Sequence, residues 1–117
     1  MLWLLNCELL DYSLIMKVMM VFVTFPHIEV AREIGTVIVE RQLAACVNLV
    51  PKMESIYYWE GKVCREDEVL GIFKVNEKRC SQFEEAMSDL HPYDTPEILG
   101  VGVERGLEKY LDWVRRG

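Results

Sequence analysis

Several residue classes are scarce in this 117-residue sequence, and each scarcity excludes something. Four cysteines, at positions 7, 46, 64 and 80, form no C-x-x-C pair and are too sparse for a disulfide scaffold. That usage suits a reducing, cytoplasmic setting. Thirteen basic residues against nineteen acidic ones leave a net charge of −6, which argues against nucleic acid and anionic membrane as partners. Both of those select basic patches. No glycine-rich phosphate loop of the P-loop or Rossmann type occurs. The apolar N-terminal stretch is interrupted by Asn6, Glu8 and Asp11, so it falls short of the roughly 20 apolar residues of a membrane span. The first basic residue is Lys17, so the basic region that opens a secretory signal is missing.

What remains is ordinary globular material, 51% hydrophobic and 27% charged, enough for one domain. Residues 1–15 read as an N-terminal extension of doubtful role, with Met16 as a start followed at once by a strand pattern. The rival reading is an amphipathic helix docked through Trp3, Leu4 and Leu10. Residues 16–117 then make a single domain.

Within that domain, Lys17–Phe25 is a β-branched and aromatic run without helical period, which predicts a strand buried on both faces. Pro26 ends it and opens a helix over about 27–42, where Ile28, Ala31, Ile34, Val37 and Ile38 recur near the 3.6 period. Residues 45–50 and 55–59 read as strand, with Pro51-Lys52 marking a bulge rather than a reversal. Glu60-Gly61 forms a tight turn, and a strand follows over 62–76. A second helix, 78–91, carries Cys80, Phe83, Met87 and Leu90 on one face until Pro92 stops it. Residues 97–104 are the last strand, and Tyr110, Leu111, Trp113 and Val114 give a short C-terminal helix its apolar side.

The order predicts an α+β, ferredoxin-like βαββαβ fold, with both main helices on one face of an antiparallel sheet and a long central hairpin. Arms of about 15 residues would each span roughly 50 Å and overhang a domain of this size. The aromatics Tyr57, Tyr58 and Trp59 at the hairpin tip call for a partner surface, because contiguous exposed aromatics are rare on monomers. No basic residues interleave with them, so base stacking is not the expected use.

Three strings then stand out: Ala44-Ala45-Cys46-Val47-Asn48, Tyr58-Trp59-Glu60-Gly61-Lys62, and His91-Pro92-Tyr93-Asp94-Thr95-Pro96-Glu97, with Tyr110-Leu111-x-Trp113 at the end. Together they resemble the CutA family of divalent-cation tolerance proteins over about residues 17–115. The resemblance implies a homotrimer joined through the long hairpins, a link to copper tolerance, and copper(II) or another divalent cation bound weakly at an intersubunit cleft. The family's copper ligands are attributed to a first-strand cysteine and adjacent histidines closing the second helix. Here those positions hold Val23 and Leu90, and His91 alone remains in place. Cys46 is a further soft ligand, so His91 and Cys46 are the candidate metal residues, one imidazole and one thiolate where three or four ligands are usual.

Both residues also have plain structural readings: Cys46 as a small core residue, and His91 as a helix-end histidine whose cation is favoured by the last carbonyls. The second candidate site is a ligand-binding cleft of Lys74, Tyr93, Glu97 and Trp59. Lys74 is the lone cation in an apolar run, with Glu97 as its expected partner, and a small anion is the ligand that Lys74 and Tyr93 would hold. That arrangement gives the alternative function, a signalling module like the PII proteins, binding a small molecule or a protein without metal. No enzyme is expected. An acylphosphatase on this fold needs an anion-cradling loop with an arginine after the first strand, and Pro26-His27-Ile28-Glu29 supplies none.

Overall fold

A computed structural model describes residues 16–116, so the two readings of residues 1–15 lie outside the described residues. Strand β1 (Val18–Phe25) leads into helix α1 (Ile28–Glu40), and strands β2 (Cys46–Trp59) and β3 (Lys62–Asn76) form the central hairpin. A 3-10 turn at Glu77–Arg79 enters helix α2 (Cys80–Leu90), followed by strand β4 (Ile98–Val103) and helix α3 (Glu108–Arg116). The four strands are ordered β2-β3-β1-β4 and every pairing is antiparallel. This is the predicted βαββαβ arrangement.

Alternation along the strands divides the sheet into two unlike faces. Val21, Val23, Phe25, Val69, Phe73 and Val75 point to the side covered by α1 and α2, where they meet Ala31, Ile34, Ile38, Phe83 and Met87 in the main core. The residues between them, including Met20, Phe22, Leu70 and Ile72, point the other way and stay half-buried. Helix α3 covers only one end of that second face, through Leu111 and Val114 against Val18.

Two local solutions depend on left-handed backbone. Helix α1 ends with Gln42 N–H on Val39 O at 2.9 Å and Leu43 N–H on Ile38 O at 3.1 Å, the paired closure usually made around glycine. Here Gln42 occupies the left-handed position, at φ 58°. The hairpin turn uses Glu60 at φ 50° and Gly61 at φ 81°, a conformation whose twist suits a two-residue connection.

The hairpin is long. Its register slips by one residue between Val50 and Met53, the bulge expected at Pro51-Lys52, with Lys52 at φ 61°. Beyond the bulge the arms run past the core, and the molecule measures 61 × 28 × 25 Å. Among the described residues, no helix is long and apolar enough to cross a membrane.

Two substitutions test this account by denaturant unfolding. Gln42→Gly removes the left-handed penalty and is expected to stabilise the fold by about 0.5–1 kcal/mol. Gly71→Ala places a Cβ 2.9 Å from Phe25 Cε2 and 3.0 Å from Phe73 Cε1, and is expected to cost about 1–3 kcal/mol.

Candidate functional site

The loop from His91 to Glu97 is held between helix and strand by Pro92 and Pro96. His91 closes α2 through its backbone N–H on Met87 O at 2.9 Å, and its extended backbone (φ −73°, ψ 138°) is the one that a following proline enforces. The side chain turns inward and is only 7% exposed. Its ring stacks on Phe25 at 5.2 Å and lies against Tyr93 at 4.8 Å.

Both ring nitrogens of His91 are engaged. Nδ1 accepts from Tyr93 N–H at 3.1 Å, which assigns the proton to Nε2, and Nε2–H donates to Thr24 O at 2.8 Å. Burial pulls the imidazole below its ordinary pKa, opposed more weakly by the Thr24 carbonyl and by Glu68. The ring is therefore a neutral strut between α2 and β1. The cation expected at a helix end does not form, because desolvation outweighs the helix-end carbonyls.

Cys46 sits at the other end of the sheet. It pairs with Lys74, whereas Phe25, beneath His91, pairs with Val69. Those two positions on β3 are five residues apart, roughly 16 Å of strand. Ligand atoms sharing one ion lie within about 4–5 Å of each other, since metal–N and metal–S bonds are about 2.0–2.3 Å. His91 and Cys46 of one chain thus do not meet. Cys46 Sγ instead lies 3.6 Å from Tyr110 Oη. Val23 is fully buried in the core and Leu90 packs against it. Among the described residues, no three His, Cys, Asp or Glu side chains are grouped to hold a metal ion.

The proposed cleft residues divide in the same way. Trp59, Tyr93 and Glu97 line one cleft of about 560 Å³ together with Thr24, Ser55, Tyr57, Glu66, Glu68 and Thr95. Lys74 is absent from it. Its ammonium donates to Asn48 Oδ1, and the side chain lies in a hollow under α3 with Met20, Val103 and Tyr110. The register explains the correction: Lys74 pairs with Met20, and Met20 with Val101. Glu97 is four residues back from Val101, roughly 13 Å along the strand. The expected Lys74–Glu97 contact is not made within one chain.

What the cleft gathers is acidic and aromatic. Tyr93 donates to Glu68 Oε2 at 2.7 Å, and burial together with Glu68 raises its phenol pKa. Glu66 beside Tyr57, with a smaller contribution from burial, pushes the Tyr57 phenol pKa up to about 12. Both phenols stay protonated and both carboxylates face the cleft as acceptors. Glu66 and Glu68 belong to the acidic run Glu66-Asp67-Glu68, a pattern that ordinarily marks a solvated strand face. The signal that could have found them was alternation, since residues i and i+2 share a face. The cleft has no basic lining residue and three carboxylates, so it favours a cation and repels the small anion that the sequence suggested.

Comparison with known proteins follows the same lines. The family model for the CutA1 divalent ion tolerance protein matches residues 19–117. The divalent-cation tolerance protein CutA of Thermus thermophilus is 43% identical over 95 residues, 81% of this chain and 92% of that protein. Human protein CutA is 42% identical over 95 residues, 81% of this chain and 53% of the relative, so the chain spans about half the length of that relative. Among solved structures, the Thermus thermophilus protein superposes with a TM-score of 0.82 at 41% identity, covering 85% of this chain and 96% of that one. CutA1 from Oryza sativa gives a TM-score of 0.84 at 38% identity, covering 86% and 93%.

The neutral histidine has a pH signature. An unfolded histidine takes up its proton near pH 6.5 while the buried ring resists, so below that pH the unfolded state binds more protons. Stability from this group is full above about pH 6.5 and is lost as pH falls toward the depressed folded value. The melting temperature is expected to decline below pH 6.5, and to decline less in His91→Gln, when scanned by circular dichroism from pH 7.5 to 5.

Proposed function

The chain belongs to the CutA1 divalent ion tolerance family, and from that premise we propose that it works as a homotrimeric, non-catalytic scaffold in cytoplasmic divalent-cation tolerance. The observation that carries this reading is the second face of the sheet. Met20, Phe22, Leu70, Ile72, Leu99 and Val101 share it by alternation, and Leu99 and Val101 are 59% and 50% exposed. A contiguous apolar face of this kind is rare on a free monomer and calls for a cover. The hairpin adds exposed Ile56, Tyr58 and Val63 beyond the body of the domain. The sheet edges, β2 and β4, are unlike each other, which favours a head-to-tail contact that closes into a ring. The family resemblance supports three as the number of copies.

A resident metal ion does not fit the described residues of one chain. His91 has no free ring lone pair and Cys46 lies at the far end of the sheet. Copper(II) is accordingly bound weakly, as any nitrogen- and carboxylate-bearing surface binds it. A second reading, a ligand-binding signalling module of PII type, is favoured by the cleft that gathers Trp59, Tyr93 and Glu97.

Light scattering at micromolar concentration is expected to give about three times the 13.7 kDa chain mass. Val101→Glu, which buries a charge in the covered face, is expected to lower it toward the single chain; a wild-type mass of 13.7 kDa would remove the assembly. In a copper(II) titration with competing glycine, wild type and His91→Ala are expected to bind equally and weakly. Tight binding of fixed stoichiometry, lost in His91→Ala, would show that His91 turns outward to serve as a ligand.

A further inference from the structure

We infer that the cleft between the outer arm of the hairpin and the His91–Glu97 loop is a binding site for a small organic polycation of the polyamine class. The inference rests on the ligand-binding reading of this cleft and names its ligand.

Charge comes first. Glu66, Glu68 and Glu97 line one cavity that has no basic lining residue, and no shell of His, Cys, Asp or Glu suited to a bare metal ion forms among the described residues. Three carboxylates at such spacing attract cations without caging one. Glu66 and Glu68, two residues apart on β3, stand roughly 6–7 Å from each other, which suits separate ammonium groups on one chain better than a single ion.

The walls are aromatic. Trp59, 61% exposed, and Tyr57, 38% exposed, offer ring faces beside the carboxylates, and Tyr93 closes the side toward His91. Ring faces attract alkylammonium groups and also cover the methylenes between them. A hydrated inorganic ion gains little from such walls.

The floor carries an unspent hydrogen-bonding group. Thr24 is 7% exposed and lines the cleft, and its hydroxyl makes no hydrogen bond among the described residues. That hydroxyl opens onto the cleft rather than being sealed away, since Arg79 Nε is the buried side-chain atom without a partner among the described residues, so a guest or water meets it there. The phenol proton of Tyr93 is already given to Glu68, and with three carboxylates in the lining the cleft presents mainly acceptors and awaits a donor-rich guest.

The test is isothermal titration of spermidine into the full chain at physiological ionic strength, with magnesium at matched charge and a small dicarboxylate as controls. Saturable spermidine binding is expected, at least ten-fold weaker in the Glu66→Gln/Glu97→Gln variant and unchanged in Lys74→Ala. Thr24→Val and Trp59→Ala, the latter at an exposed position, are each expected to weaken it several-fold, and they decide the matter if the double variant fails to fold. Affinity unchanged across these variants, or magnesium displacing spermidine at equal charge, would overturn the site as general attraction to an acidic surface. Binding of the dicarboxylate alone would overturn the ligand class while leaving the ligand-binding reading intact, and binding of neither would remove both. Loss of oligomer mass in the double variant, with no spermidine binding by wild type, would assign the cleft to a basic side chain of a second copy and overturn a free ligand.

Discussion

Two helices cannot cover both sides of a four-stranded sheet when they lie on the same side, and the rest of the molecule is arranged around that shortfall. Helices α1 and α2 seal Phe25, Phe73, Phe83 and Met87 into a dry core on one face. The other face is no less built from strand residues, yet it receives only α3 at one end. Apolar surface left in water forgoes roughly 25 cal/mol per Å² of the stabilisation that burial would supply. Met20, Phe22, Ile72, Leu99 and Val101 thus make association the natural completion of the fold. One stretch of that open face is walled by a loop.

The His91–Glu97 loop is that wall, and its chemistry is set by what His91 gives up. A histidine donating to Thr24 O and accepting from Tyr93 N–H is fixed in one tautomer. It anchors the loop so that Tyr93 reaches Glu68 across the sheet. The residue that looked most like a metal ligand is the one that holds the loop in place. Potential ligands are thereby separated: a thiol and an ammonium by α3, and carboxylates along the outer arm of the hairpin.

The order of elements was legible from periodicity and punctuation. Ile28, Ala31, Ile34 and Ile38 announced α1, Pro92 stopped α2, and Glu60-Gly61 marked the turn. Even the bulge could be read, from a proline inside a strand pattern. The contacts between elements were harder, because they depend on register. Lys74 meets Asn48 rather than Glu97 because β3 pairs with β1 and β2 at one particular offset, and no single string encodes that offset. Glu66 and Glu68 stand in an acidic run, and their aromatic neighbours come from elsewhere in the chain, Tyr57 from the opposite strand and Tyr93 from the His91–Glu97 loop. Thr24 carried no signal at all; a threonine at the end of an apolar strand gains meaning only when a loop folds over it.

The bulge at Pro51-Lys52 has a consequence that reaches the tip of the hairpin. Before it, odd-numbered residues of β2 such as Val47 and Leu49 face the helices. After the extra residue the parity inverts, and Ser55, Tyr57 and Trp59 face the open side with Glu66 and Glu68. One inserted residue thus acts as a phase shift, letting a single strand serve the core with one set of odd positions and the cleft with the next. Removal of that residue would restore an unbroken ladder from Val50–Leu70 to Met53–Glu68 and leave Ser55, Tyr57 and Trp59 on the cleft side. The bulge is therefore a place where the hairpin absorbs a single-residue insertion or deletion while the lining of the cleft keeps its partners.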